Sequence, residues 1–396
     1  MPSKIMSINA GSSSLKFQLF EMPEEKLLVK GLFERLGGKD EAIFGYSTDT
    51  AKDMSQLAIS SHKEAVDFLL EFLIDKKILA SLEELKGVGH RVAHGGEFFP
   101  KSCVIGIQEE AEIDKLCQLA PLHNPVNLVG IRAFKKALPE TVQVAVFDTS
   151  FHQTMPPKNY IYPIPYDYYQ KDGIRKYGFH GTSHEYVAKE AAKALGEKLT
   201  DLKIVSCHLG NGASICAIKE GKSFDTSMGF TPLAGLMMGT RCGDIDPSIL
   251  TFLMKDKQMT ADELEAMMNQ QSGFLGVSGV SNDSRDILKG ASEGSPQSQL
   301  ALDIFTNRVK TTIGAYAAEM GGIDVLIFTA GIGENAEKIR EMCCSNLDFL
   351  GIKLDVERNQ SGELFIHQDG KPVYVMVIPT NEELKIAQDT FELASS

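Results

Sequence analysis

The sequence predicts a two-domain α/β protein built on a duplicated core. Residues 5–20 (IMSINAGSSSLKFQLF) read as strand, polar turn and strand. Residues 204–218 (IVSCHLGNGASICAI) repeat that architecture half a chain later, which points to an internal duplication. Residues 323–340 (IDVLIFTAGIGENAEKIR) then run from strand through a glycine turn into a helix, a common setting for nucleotide contact. A chain of 396 residues has ample material for two buried cores.

The elements follow in order. In the opening hairpin, Ile5, Met6 and Ile8 precede a turn over residues 9–14, and Leu15, Phe17, Leu19 and Phe20 resume the alternation. The turn's serines, its glycine and the nearby Lys16 suit a phosphate, but serine and glycine also dominate ordinary turns. The charged residues 21–53 read as surface strands and loops. Ser61-His62-Lys63-Glu64 matches a capping box opening a helix with Val66, Leu69, Leu70 and Leu73 on one face. Residues 87–99 (GVGHRVAHGGEFF) break every periodicity. Asn124-Pro125 starts a helix with proline at its first position. Residues 142–147 form a strand ending at Asp148, a common location for chemistry in α/β folds.

Residues 160–169, rich in tyrosine and proline, read as an irregular surface or interface segment. Thr182-Ser183-His184-Glu185 matches a second capping box, which puts His180 just ahead of a helix N-terminus, where the dipole favours anions. Residues 372–379 form a strand, and Asn381-Glu382-Glu383 opens a last helix.

Composition narrows the function. The net charge of -13 and pI near 5.3 argue against a general nucleic-acid or anionic-membrane binder. The 7 cysteines form no C-x-x-C pair and are odd in number, so metal clusters and a disulfide framework are not expected and a reducing cytoplasm fits best. No apolar signal region opens the chain, and no run approaches the ~20 apolar residues of a membrane span.

The glycine turns fit neither a Walker A loop nor a G-x-G-x-x-G fingerprint. Two phosphate-suited hairpins plus a third glycine loop resemble the superfamily of acetate kinases, sugar kinases, Hsp70 and actin. SINAGSSSLKF, GHRVAHGGE, FDTSFH, YGFHGTSHEYV, HLGNGAS, MGTRCGDIDP, TAGIGEN and PTNEEL are similar, in order and over nearly the whole chain, to blocks of the acetate kinase family. The resemblance implies two duplicated actin/Hsp70-like, ribonuclease H-like domains, with mixed sheets flanked by helices and an interdomain cleft. It implies a first domain over 1–148, completed by 382–396, and a nucleotide-binding domain over 149–381. It also implies a homodimer, with residues 160–169 and the apolar helix 300–320 as candidate interfaces.

The implied reaction is ATP + acetate ⇌ ADP + acetyl phosphate by direct in-line transfer, with Mg²⁺ as cofactor and Mn²⁺ able to substitute. Arg91 and Arg241 match the family's active-site arginines, Arg91 facing the acetate carboxylate and Arg241 the phosphoryl group. His180 matches the transition-state histidine, and Asp148 the essential aspartate. Acetate is already ionised at neutral pH, so Asp148 is expected to orient Arg91 or metal-bound water rather than act as a base. Asn9 and Glu382 match the metal positions.

Lys16, His208, Leu209, Gly210, Asn211, Gly212, Asp283, Ser284, Arg285, Gly331, Ile332, Gly333, Glu334 and Asn335 are expected to contact the nucleotide. Leu122, Phe179 and Pro232 match the methyl niche, together with Ala93, which stands where the family's HRVVHGG has valine. The missing methyls are expected to admit propionate with acetate still preferred, and a propionate or butyrate kinase is the alternative. A sugar kinase or an Hsp70-like binding module would need neither two arginines nor a small apolar niche.

Overall fold

A computed structural model describes residues 3–38 and 40–395. The chain divides into two compact units, Met1–Phe151 with Asn381–Ser396, and His152–Thr380. The first contains an eight-stranded sheet. Its strands are β1 Ser3–Gly11, β2 Ser14–Met22, β3 Lys26–Glu34, β4 Ala42–Ser47, β5 Lys52–Leu57, β6 Leu85–Val92, β7 Cys103–Val104 and β8 Val142–Phe147. They lie in the order β5-β4-β3-β2-β1-β6-β8-β7. The second unit contains β9 Lys203–Leu209, β10 Ala213–Lys219, β11 Lys222–Thr226, β12 Val325–Thr329 and β13 Tyr374–Val377, in the order β11-β10-β9-β12-β13.

The duplication is explicit in the pairing. In the first unit, β3, β2 and β1 pair antiparallel, and β6 and β8 follow parallel to β1. In the second, β11, β10 and β9 pair antiparallel, and β12 and β13 follow parallel to β9. Both mixed sheets carry helices, as the α/β reading requires. Phe33 stacks on Phe44 at 4.5 Å, and Phe72 of the His62–Asp75 helix meets Phe44 edge-on at 5.1 Å. The Val66, Leu69, Leu70 and Leu73 face of that helix is buried, and Ser61 caps it by accepting from the Glu64 amide.

The C-terminal helix, Glu382–Ala394, packs on β6 where glycine leaves room. A Cβ at Gly89 would lie 2.2 Å from Thr390 Oγ1 and 2.6 Å from Ile386 Cγ2. This contact fixes the height at which Glu382 enters the first unit.

Four local expectations change. The first hairpin's turn is narrower than residues 9–14: Gly11 pairs with Ser14, so Asn9, Ala10 and Gly11 belong to β1 and only Ser12 and Ser13 turn. The helix at Pro125 is Asn124–Ala137, so Asn124 precedes the proline inside it. The Thr182 capping box does not form. His180, at φ 58, starts the Gly181–Leu195 helix two residues early, and Ser183 lies inside it. Within residues 160–169 the structure is not wholly irregular: Asp167 begins a short helix, Asp167–Asp172.

Of the two interface candidates, the long helix Pro296–Met320 buries Leu302, Phe305, Val309 and Ile313 in its own unit. Tyr166 and Tyr168 are exposed. Among the described residues, no helix is long and apolar enough to cross a membrane.

Candidate active site

In the first unit the predicted site residues gather at the carboxyl ends of the parallel strands, where α/β sheets commonly bind ligands. Asn9 lies near the end of β1, Arg91 near the end of β6, and Asp148 directly follows β8. Arg91 donates from Nε to Asp148 Oδ1 at 3.0 Å and from Nη2 to Oδ2 at 2.6 Å, a two-pronged pair that fixes the plane of the guanidinium. Its Nη1 donates to Asn9 Oδ1 at 3.4 Å. The Asp148 side chain is 3% exposed and Arg91 25%. Asp148, with Glu382 and Glu383 farther off, raises the guanidinium pKa above its usual value, so Arg91 stays charged.

Negative charge is in excess here. Glu382 is pushed up to about 7, first by burial and then by Asp148 and Glu383, against the opposing pull of Arg91 and Lys16. Lys16 pairs with Glu383. Asn9 and Glu382 offer side-chain oxygens, the ligands a hard divalent cation takes, and a cation beside Glu382 would oppose the burial that raises its pKa. Among the described residues no three His, Cys, Asp or Glu side chains cluster as a ready-made cage.

Arg91 lies in strand β6, not in the loop its glycine-rich surroundings suggested, and the segment that follows it, Ala93 and His94, is tied down by two asparagines of the Asn124–Ala137 helix. Asn124 Oδ1 accepts from the His94 amide and its Nδ2 donates to the His94 carbonyl. Asn127 Oδ1 accepts from the Ala93 amide, and its Nδ2 donates to the Ala10 carbonyl on β1. One side chain thus joins this segment to the first hairpin. Ala93 is buried.

In the second unit the turn between β9 and β10 is the focus. A methyl carbon placed on Gly212 would lie 3.6 Å from Arg241 Nη1 and 3.7 Å from His180 Nε2, so both side chains converge on this turn. Arg241 has no carboxylate partner among the described residues. It donates to the Pro232 carbonyl at 3.2 Å, and burial lowers its pKa. The His180 ring stacks on His208 with centroids 4.1 Å apart. His208 Nδ1 bonds to Ser183 Oγ at 2.8 Å, and Ser183 continues to Thr380 Oγ1 at 2.7 Å.

Beside the turn lies a pocket of about 500 Å³, lined by Gly210, Asn211, Asn282, Asp283, Ser284, Arg285, Leu288, Gly331, Ile332, Asn335 and Ala336. Asp283 caps the Ser284–Ser292 helix by accepting from the Arg285 amide, and its carboxylate also holds the Arg285 side chain. Gly333 and Glu334 lie in the adjoining Ala330–Asn335 helix, where their carbonyls accept from buried Arg340.

Asn9, Arg91, Asp148 and Glu382 are therefore assembled in one unit, and His180, His208, Arg241 and the nucleotide set in the other. The methyl-niche group is not assembled in the same way. Phe179 belongs to the apolar core of the second unit, and Pro232 lies in the Arg241 loop. Leu122, in the turn ahead of Asn124, is 74% exposed, so the first unit by itself does not enclose it in an apolar niche. Leu209 is buried at the end of β9.

Sequence reasoning missed Asn124, Asn127, Asn282, Ser183 and Ser214. Asn124 read only as a helix start, and isolated asparagines and serines carry no periodic signal. The spacing of Asn124 and Asn127 on one helical face, opposite an irregular loop, could have flagged that pair.

A family model described as the acetokinase family matches residues 4–388. An acetate kinase of Geobacillus sp. (strain WCH70) is 53% identical over 395 residues, 99% of each chain. A propionate kinase of Salmonella typhimurium is 52% identical over 394 residues, 100% of this chain and 97% of its own. The crystal structure of Porphyromonas gingivalis acetate kinase superposes with a TM-score of 0.94 at 45% identity, covering 99% of both chains.

Proposed function

This chain belongs to the acetokinase family, a family of ATP-dependent phosphotransferases, and from that premise we propose that it catalyses ATP + acetate ⇌ ADP + acetyl phosphate. The observation that carries the site assignment is the convergence of Arg241 Nη1 and His180 Nε2 on Gly212, beside the pocket lined by Gly331 and Asp283.

Phosphoryl transfer asks a protein for alignment and for donors aimed at developing charge. The pocket takes adenosine, with Gly331 admitting close backbone approach. His208 and residues 209–212 are the second unit's phosphate contacts, and the family resemblance assigns Lys16 of the first unit to the nucleotide as well. His180 and Arg241 donate to the equatorial oxygens of the transferring group, where charge spreads. Arg91 binds the acetate carboxylate. Asp148 locks the guanidinium plane, so the acceptor oxygen is presented in one orientation. Acetate needs no deprotonation, and Asp148, engaged on both oxygens by Arg91, fits an orienting role better than that of a base.

Asn9 and Glu382 are the residues that would hold Mg²⁺. When bound, the ion neutralises phosphate charge. Glu382 must give up its proton to serve; burial and the neighbouring carboxylates oppose that, and the positive charge of an ion would favour it.

The experiment is a hydroxylamine-trapped assay for acyl phosphate with acetate, propionate and butyrate, ATP and Mg²⁺. Acyl hydroxamate with acetate in first place is expected. Failure to form it from any short carboxylate sinks the reading.

A second reading, preference for propionate, is favoured by buried Ala93 standing where valine is expected and by the propionate kinase relative. One methylene is worth ~1–3 kcal/mol of discrimination in such a pocket. Ala93→Val should raise the acetate-to-propionate ratio of kcat/KM, and an unchanged ratio removes Ala93 from the argument. The family resemblance also supports a homodimer, tested by light scattering. Cysteines that are free throughout the described residues support a reducing cytoplasm.

A further inference from the structure

Behind His180 lies a chain of buried hydroxyls and imidazole that the transfer reaction does not itself call for. Ser214 Oγ, on β10, bonds to His180 Nδ1 at 2.9 Å and to His184 Nε2 at 2.8 Å. His184 Nδ1 in turn bonds to Ser206 Oγ, on β9, at 2.9 Å. Ser206, Ser214 and His184 are wholly inaccessible to solvent. The order is therefore Ser206, His184, Ser214, His180, with one serine hydroxyl shared by two imidazoles.

The backbone at the far end is held as well. His152 Nε2 donates to the Phe179 carbonyl at 2.9 Å, and its Nδ1 accepts from Ser223 Oγ at 2.8 Å. His180 itself occupies the left-handed region at φ 58, a conformation uncommon for histidine that the surroundings must sustain.

Proton counting limits the states of this chain. Burial, with His152 and His208 nearby, holds His184 well below its ordinary pKa, so it is neutral and carries one ring proton. Ser214 has one proton and lies between two ring nitrogens. If His184 carries its proton on Nε2, it donates to Ser214, and Ser214 donates to His180 Nδ1. Ser206 then donates to His184 Nδ1, and a neutral His180 keeps its proton on Nε2. If His180 is charged, every arrow reverses: His180 Nδ1 donates to Ser214, Ser214 to His184 Nε2, and His184 Nδ1 to Ser206. In both states each of these contacts joins one donor to one acceptor. In both, His180 Nε2 carries hydrogen on the side facing Gly212 and Arg241.

We propose that Ser214 is a positioning residue: with His184 and Ser206 it forms a reversible hydrogen-bond relay that keeps His180 presenting an Nε2–H donor whether its ring is neutral or charged. This rests on the reading of His180 as the phosphoryl contact. The opposite tautomer would turn a lone pair toward an anionic group and lose the interaction as charge develops. The consequence falls on the chemical step rather than on ground-state binding.

The test uses the full-length protein with ¹⁵N-labelled histidine. Ser214→Ala should lower kcat about tenfold, the effect of one lost charge-assisted hydrogen bond, with KM for ATP and acetate within about twofold. The His180 Nδ1 resonance should leave its hydrogen-bonded position, and Ser214→Thr should restore both kcat and the resonance. Ser214→Cys, nearly the same size with a weak S–H donor, serves if the alanine variant is unstable; it should keep the wild-type melting temperature and still lose kcat. An unmoved Nδ1 resonance in Ser214→Ala overturns the relay, whatever the activity. A threonine variant as impaired as alanine, or a change confined to KM, overturns it too. A moved resonance with unchanged kcat leaves the relay standing and overturns instead the role given to His180 in transfer, and with it the positioning claim.

Discussion

Glu382 offers the sharpest test of the acidic cluster. Its carboxyl is raised from 4.5 to about 7, chiefly by burial and then by Asp148 and Glu383. The folded protein therefore binds more protons at this site than the unfolded chain does between those two values, and stability falls as pH rises through that window. The contribution is intact below about pH 4.5 and is lost by the time pH passes 7. At 1.36 kcal/mol per pH unit, the full gap corresponds to about 3 kcal/mol, taken as an upper bound.

Glu382→Gln removes the titration while keeping the shape. The difference in stability between wild type and variant should shift by roughly 2–3 kcal/mol between pH 5 and pH 8, always against wild type at the higher pH. For a unit of this size that is roughly 5–10 °C in melting temperature. Taking the difference cancels the titrating groups that do not interact with Glu382. The assay is thermal unfolding from pH 5 to 8, with and without Mg²⁺. If Glu382 holds the ion, Mg²⁺ should stabilise wild type more at pH 8 than at pH 6 and leave the glutamine variant unmoved. Parallel pH profiles for the two proteins would refute the buried-carboxyl reasoning, and an equal response to Mg²⁺ would remove Glu382 from the metal site.

Asp148→Asn should destabilise the first unit by about 3 kcal/mol, the low end for breaking a buried pair, because Arg91 is 25% exposed and retains Glu382 and Glu383 nearby. It should also depress kcat with Mg²⁺ saturating, and near-silence in both melting and kinetics would contradict the orienting role. Gly89→Ala would drive a methyl to 2.2 Å from Thr390 Oγ1, costing ~1–3 kcal/mol and loosening the C-terminal helix. Calorimetry should show a lower first-unit transition, and an unchanged trace would mean that the helix seat is not tight.

The duplicated hairpins were legible because strand alternation and turn chemistry are local signals, and both sheets repeat one order around them. Arg91, Arg241 and His180 were legible from the family motifs around them, although the glycine-rich stretch that suggested a loop at Arg91 is strand β6 up to Val92. What was hidden was tertiary. The Thr182 capping box looked right locally, but the left-handed turn at His180 started the helix sooner and gave Ser183 to His208. Asn127 carried no motif, since its worth depends on Ala93 and Ala10 meeting across 34 and 117 positions of sequence. Ser214 was visible only as part of a glycine-rich turn, and its two imidazole partners come from a helix that sequence alone could not dock.

The return of residues 381–396 to the first unit has a consequence for biosynthesis. On the ribosome, residues 1–151 emerge with Asn9, Arg91 and Asp148 but without Glu382, and with the β6 glycine face uncovered. At ~5–20 residues per second, the second unit occupies roughly 10–50 s of translation before the closing helix exists. The nascent first unit must wait through that interval as an incomplete domain. A product truncated within the second unit therefore lacks both a metal-ligand candidate and the helix that packs on the β6 glycines.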